Sequence, residues 1–219
     1  MIGCMIGCVT DARADIRADV RAPDVARLGP DATERALTSV LAAFATDPLL
    51  RWVWPEDQRY AGCAPAFFRL LLSLRTAGGE VWAADGGAAV AMWDPPGGLY
   101  AVPAEDPWPR LNSTFTEAEQ GRWKVFNESL AVPADAPAHW YLGVLATAPE
   151  HQRRGLGAAV VAPVLAAADR TATEAYLETA SEANVAFYAR LGFTVVREVD
   201  LPGAGPRCWL LRREPRTSR

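Results

Sequence analysis

Gln152-Arg153-Arg154-Gly155-Leu156-Gly157 lies between an apolar run, Trp140 to Thr147, and a helix-like run, Ala158 to Asp169. Strand, glycine-broken basic loop and helix start together make an anion site. The first N–H groups of a helix have no internal partner and carry the positive end of its dipole. Gly155 and Gly157 let the main chain approach phosphate oxygens with no Cβ in the way, while Arg153 and Arg154 add charge. The chemistry to which these residues point is the binding of a cofactor that carries a pyrophosphate.

The spacing narrows the cofactor. Gly155-x-Gly157 is half of a dinucleotide fingerprint, and Glu178 falls where a ribose-binding acid would stand. Val160, however, occupies the third small-residue position, and seven residues including Pro149 separate Thr147 from Gly155. A dinucleotide fold runs its strand almost directly into the first glycine.

Three segments resemble the GNAT acetyltransferase superfamily. They are the Gln-x-x-Gly-x-Gly loop after a Pro149-Glu150-His151 turn, Leu177-Glu178-Thr179 on the next strand, and the run Asn184 to Phe193 with Tyr188 and Gly192 in register. Within the superfamily the chain is most similar to the puromycin N-acetyltransferases, through Val81-Trp82 to Trp93, Pro149 to Pro163, Phe187 to Val195 and Pro206-Arg207; residues 94 to 138 match poorly. The resemblance implies a mixed α/β fold: a mostly antiparallel sheet with flanking helices and a central splayed parallel strand pair. It implies acetyl-CoA as co-substrate and no metal. Gln152, Arg153, Arg154, Gly155, Leu156, Gly157 and Ala158 would hold its pyrophosphate. Leu145, Ala146 and Thr147 would pair their backbone with the pantetheine arm, near a bulge whose freed N–H faces the thioester carbonyl.

By the same resemblance Tyr188 stands beside the cofactor sulfur. A phenol of pKa about 10 suits protonation of a departing thiolate, which makes Tyr188 the general-acid candidate. Asn184, one helical turn earlier, is expected on the same face and against the cofactor arm. The arriving amine must lose a proton. Glu178, on the strand beside the signature strand, is the candidate base, with His139, Tyr141 and Glu128 as rivals. No Cys or Ser has the base and orienting partner that an acyl-enzyme route needs, so direct transfer to a primary amine is expected. The acceptor implied is an aminonucleoside or another amine-bearing antibiotic, which would make the protein a resistance or self-protection enzyme. The alternatives are a peptide or protein amine as acceptor, or a non-catalytic acyl-CoA-binding module.

Composition sets the limits. The chain has 219 residues, 50% of them hydrophobic and 22% charged, with a formal net charge of −4. That suits one domain with a proper core and shows no basic stripe for nucleic acid. Cys4, Cys8, Cys63 and Cys208 form neither a disulfide framework nor a zinc spacing, and no run is long and apolar enough for a membrane. A cytoplasmic monomer or homodimer acting on a small-molecule amine is expected. Residues 1–20, which hold a duplicated Met-Ile-Gly-Cys, are expected to be disordered, 21–214 to form the acetyltransferase domain, and 215–219 a tail.

The positioning elements follow from periodicity. A short strand over Val25 to Leu28 precedes a helix that Asp31 caps, with Glu34 completing a capping box, and Asp47-Pro48 stops that helix. A second helix runs from near Gln58 to Arg75. Asp85-Gly86-Gly87 turns a hairpin between Val81–Ala84 and Ala88–Trp93. Residues 94 to 138 read as irregular except for a helix between Thr116 and Leu130. After the signature strand and helix come a strand over Ala175–Thr179, a helix over Ser181–Leu191 ended by Gly192, and strands over Thr194–Leu201 and Cys208–Arg212. Eight tryptophans are many for this length. Trp52, Trp54, Trp108 and Trp123, with Tyr60, Phe115 and Phe126, fall in the segments expected around the acceptor.

Overall fold

The computed structural model describes residues 22–101 and 103–216. The expected disorder of residues 1–20 lies outside the described residues, as do Cys4 and Cys8.

Seven strands form one sheet in the order β1-β2-β3-β4-β5-β7-β6. They are β1 (Val25–Arg27), β2 (Glu80–Ala84), β3 (Ala89–Asp94), β4 (Trp140–Thr147), β5 (Ala175–Thr179), β6 (Thr194–Asp200) and β7 (Arg207–Arg213). Every neighbouring pair is antiparallel except β4 and β5, so the expected mixed, mostly antiparallel sheet with one parallel pair is present. The β2–β3 hairpin turns on Asp85, Gly86 and Gly87, all at positive φ (48°, 66° and 100°), the backbone that Asp and Gly tolerate best.

The parallel pair sets up the site. β4 and β5 are registered only at Trp140↔Ala175 and Tyr141↔Tyr176. Beyond Tyr141 the two strands part, leaving the rest of β4 and the C-terminal half of β5 without each other. On its other edge β4 keeps pairing with β3, but the register slips between Met92↔Val144 and Trp93↔Leu142. Gly143 is therefore the extra residue of a bulge, two positions before the segment in which one was expected.

Each face of the sheet has its own core. On one face α1 (Thr33–Phe44), α2 (Pro48–Val53), α3 (Asp57–Gly78) and α5 (Glu117–Ser129) cover Val144, Ala146, Tyr176, Cys208 and Leu210. On the other, α6 (Leu156–Arg170) and α7 (Glu182–Arg190) cover Leu142, Leu145, Leu177 and Leu211. α6 carries Pro163 in its interior. A further short helix, α4 (Trp108–Asn112), lies in the segment between β3 and α5.

Three local expectations are corrected. Asp31 caps nothing: Pro30–Ala32 is a 3-10 turn, and α1 starts from Ala32 without a side-chain cap. Asp47-Pro48 ends α1 but also opens α2. Asp47 accepts the Leu50 N–H at 3.0 Å and Pro48 sits in the first turn, where a missing N–H costs nothing. Residues 94–138 are not irregular up to Thr116, since α4 forms there. At Thr116 the capping box is complete: Glu119 returns the bond to the Thr116 N–H at 2.7 Å.

Candidate active site

The loop after β4 is shaped by two left-handed residues. Arg153 has φ 60° and Gly155 φ 76°, and Gly155 forms the N-cap of α6 with no side chain capping it. The first intrahelical bond, Ala159 N–H to Gly155 O at 3.0 Å, leaves the earlier amides at the positive end of the helix. Gln152 Nε2 donates to the Thr147 carbonyl at 3.2 Å and ties the loop to the end of β4. Arg154 Nη1 lies 2.9 Å from His151 Nδ1. Thr147, Gln152, Arg153, Gly155, Leu156, Gly157, Ala158 and Phe187 line a groove of about 240 Å³, its open mouth included. Six of the seven loop residues expected to hold a pyrophosphate thus line one groove; Arg154 is exposed beside it.

Leu145, Ala146 and Thr147 end β4 beside the splay, all buried. Leu145 faces the α6 core and Ala146 the α1–α3 core. Thr147 Oγ1 is shielded from solvent and has no hydrogen-bond partner among the described residues. Tyr188, wholly buried in α7, packs against Phe187 (5.0 Å between centroids) and Phe193 (5.7 Å). Its hydroxyl also has no partner among the described residues, and burial pushes its pKa well above 10. A phenol so placed stays protonated at any working pH. Asn184 is also wholly buried and donates Nδ2–H to Thr179 Oγ1 at 3.2 Å, joining α7 to the end of β5.

Glu178 is 3% exposed. Burial pushes its carboxyl up to about 8, although the Tyr141 hydroxyl, donating to Oε2, works against that shift. Alternation along β5 puts Ala175 and Leu177 in the α6–α7 core and Tyr176 in the α1–α3 core, so Glu178 points to the α1–α3 side. Tyr188 is on the opposite side. Tyr188 and Glu178 therefore stand on two faces of the sheet, near the point where β4 and β5 part. Nothing in the one-dimensional pattern disclosed this, since it depends on where two distant strands stop pairing.

The rivals to Glu178 are placed elsewhere. Glu128 is exposed and faces Lys124 at 3.9 Å. His139 meets Tyr176 edge to face (4.7 Å between centroids), its Nδ1 2.7 Å from Pro137 O. Tyr141 serves as the partner of Glu178. Asp47, a buried carboxylate on the Glu178 face, was not singled out as a site residue; burial pushes it up to about 7. Cys63 and Cys208 are free and buried, and burial raises both thiols, Cys208 to about 12, so neither is a ready nucleophile. Among the described residues no three His, Cys, Asp or Glu side chains converge as a metal site, and no helix is long and apolar enough to cross a membrane.

Comparison with known proteins gives this geometry a context. The model of the acetyltransferase (GNAT) family matches residues 19–193. A Corynebacterium glutamicum protein described as histone acetyltransferase HPA2 and related acetyltransferase is 26% identical, with a TM-score of 0.66 over 90% of this chain and 99% of that one. Arylalkylamine N-acetyltransferase 2 of Aedes aegypti shares the fold at 14% identity and a TM-score of 0.65, covering 90% and 100% of the two chains. An agmatine N-acetyltransferase variant shares it at 15% identity and a TM-score of 0.59, covering 88% and 99%.

Proposed function

Because the chain belongs to the acetyltransferase (GNAT) family, we propose that it moves acetyl from acetyl-CoA directly to a primary amine of a small molecule. The observation that carries this reading is the groove at the α6 N-terminus opening beside the parted ends of β4 and β5, with a partnerless buried phenol on one side and a buried carboxylate on the other.

The loop Gln152–Ala158 binds the pyrophosphate through main-chain amides and the charges of Arg153 and Arg154. Backbone groups of Leu145, Ala146 and Thr147, freed from β5 by the splay, orient the pantetheine arm. On the opposite face Glu178 removes a proton from the incoming ammonium, and Tyr141 holds the carboxylate in place. The amine nitrogen then bonds to the thioester carbonyl carbon as the C–S bond breaks. Tyr188 supplies the proton that the leaving sulfur takes up, and the second proton, shed by the nitrogen as it becomes an amide, restores the phenol. A carboxyl that titrates near 8 is matched to this task, because it is partly ionised at neutral pH and basic enough to accept. The raised thiols of Cys63 and Cys208 favour this single displacement over an acyl-enzyme route.

The acceptor is small. Glu178 lies beneath the core that α1, α2, α3 and α5 build, which suits a compact amine better than a residue on a folded protein surface. The sequence resemblance to the puromycin N-acetyltransferases makes an aminonucleoside or another amine-bearing antibiotic the first acceptor class to try. A resistance role, action in the cytoplasm and a single acetyltransferase domain over residues 21–214 belong to the same proposal. The test is release of free thiol from acetyl-CoA in the presence of amine antibiotics, polyamines and arylalkylamines. Release above the acceptor-free rate is expected with at least one of them. Cofactor binding without release for any amine would reduce the protein to an acyl-CoA-binding module.

A further inference from the structure

Two buried donors on the Glu178 face are not used by the mechanism above. Trp54 Nε1 and Trp123 Nε1 are shielded from solvent and have no hydrogen-bond partner among the described residues. Trp54 is 0% exposed and Trp123 5%. A buried indole N–H normally finds an acceptor, and leaving one unmade costs about 1–3 kcal/mol. Here two such donors share one nest, with ring centroids 5.7 Å apart. Trp54 is the hub, edge-on to Phe115 at 5.4 Å, Phe67 at 5.8 Å and Tyr60 at 6.3 Å. The two carriers are fixed to each other, because Arg122 Nη1 of α5 donates to the Val53 carbonyl at the end of α2 at 3.1 Å.

The surroundings offer the indoles no acceptor that would explain them. The Tyr60 hydroxyl donates to the Phe44 carbonyl at 2.8 Å and accepts from neither indole. The nest belongs to the same core as Val144, Ala146 and Tyr176, the β4–β5 surface on which Glu178 stands. Trp93 Nε1 is also without a partner, but it lies in the core of the opposite face.

Resting on the acetyltransferase reading above, we propose that Trp54 and Trp123 form the subsite for the non-reacting end of the acceptor, taking an aromatic body that bears a hydrogen-bond-accepting oxygen. An indole N–H only donates, so these two groups offer no lone pair to a second ammonium group, whereas an ether or carbonyl oxygen has two lone pairs for two donors. The aromatic walls match a ring. Phe115 and Trp108 lie against Trp54 and Phe67, so an entering ring displaces them.

The test compares thiol release with para-methoxyphenethylamine and para-ethylphenethylamine, which differ only by oxygen in place of a methylene. The wild-type chain is expected to favour the ether by about five- to tenfold in kcat/KM, the worth of a neutral hydrogen bond. W54F and W123F should each bring that ratio down to about twofold or less. F67L, a packing change that removes no N–H, should lower Tm and leave the ratio intact. Equal rates for the two amines in the wild-type chain, or a ratio unmoved in both tryptophan variants, would overturn the proposal. Turnover of other amines with neither of these two would overturn it as well while leaving acetyl transfer standing. Absence of thiol release with every amine would remove the acetyltransferase reading itself.

Discussion

The hydroxyl of Tyr141 donates to the carboxylate of Glu178 at the point where β4 and β5 stop pairing. Tyr141 stands in the last registered pair, opposite Tyr176, and Glu178 is two residues further along β5 on the same face. The bond thus spans the mouth of the splay, and it couples the charge of the carboxylate to the geometry of the gap.

That carboxyl sets a pH dependence whose sign can be worked out. Its pKa rises from an ordinary 4.5 to about 8 on folding. Between those values the native protein holds a proton that the unfolded chain has released, so stability is lost as pH rises through that window. Asp47, raised to about 7, acts in the same direction. Activity moves the other way, because the base works when ionised. The kcat/KM profile is expected to climb with an apparent pKa near 8. E178Q should abolish that limb and raise Tm at pH values above it. A limb that persists in E178Q would assign the base elsewhere.

Tyr188 offers a cleaner separation of chemistry from folding. Its hydroxyl has no partner among the described residues, so Y188F removes nothing that supports the fold. Turnover should fall by about two to four orders of magnitude, the usual worth of a general acid. Cofactor affinity by calorimetry and Tm should remain near wild type. Full activity in Y188F would take Tyr188 out of the mechanism.

Arg153 combines charge with a left-handed backbone, φ 60°. R153A and R153G both delete the guanidinium, but only alanine retains the conformational cost, about 1 kcal/mol. Both variants should weaken acetyl-CoA binding by about two- to fivefold, the effect of one exposed charge at a helix N-terminus. R153G should melt higher than R153A. The reverse order would mean that the loop does not keep this conformation in solution.

A buried ion pair fastens the C-terminal end of α6 to β7. Arg213, its side chain 3% exposed, makes two bonds to Asp169 at 2.7 and 2.8 Å and a third to the Leu191 carbonyl at 3.0 Å. D169A strands that guanidinium and should cost about 3 kcal/mol, the low end for a broken buried pair because Asp169 is partly exposed. The paired replacement D169L/R213M should cost less than D169A alone, as read by denaturant melts. Equal losses would make packing, not the stranded charge, the cause.

Much of the cofactor half was legible in sequence because its signals are local. Trp140–Thr147 and Ala175–Thr179 have the expected bounds, since each is an apolar run cut off by turn residues. Gly192 at φ 95° marks the end of α7 for the same reason. The acceptor half was less legible. α2 and α4 are short helices that begin at or just before a proline, and Asp47-Pro48 carries the same letters whether it ends one helix or starts another. Opposite faces for Glu178 and Tyr188 follow from strand register, and register is settled by pairing across more than thirty residues of chain. The convergence on Trp54 of Tyr60, Phe67, Phe115 and Trp123, drawn from three separate segments, has no signal at any fixed spacing.

The two registered pairs between β4 and β5 divide the sheet into a four-stranded leaf and a three-stranded leaf joined along a short seam. A ligand laid along the rest of that seam would serve as a missing rung between them, turning two panels that share a short edge into one continuous slab. Amide protons of Leu145 and Glu178, on the two lips of the gap, are where such bracing would register first as slowed exchange with solvent.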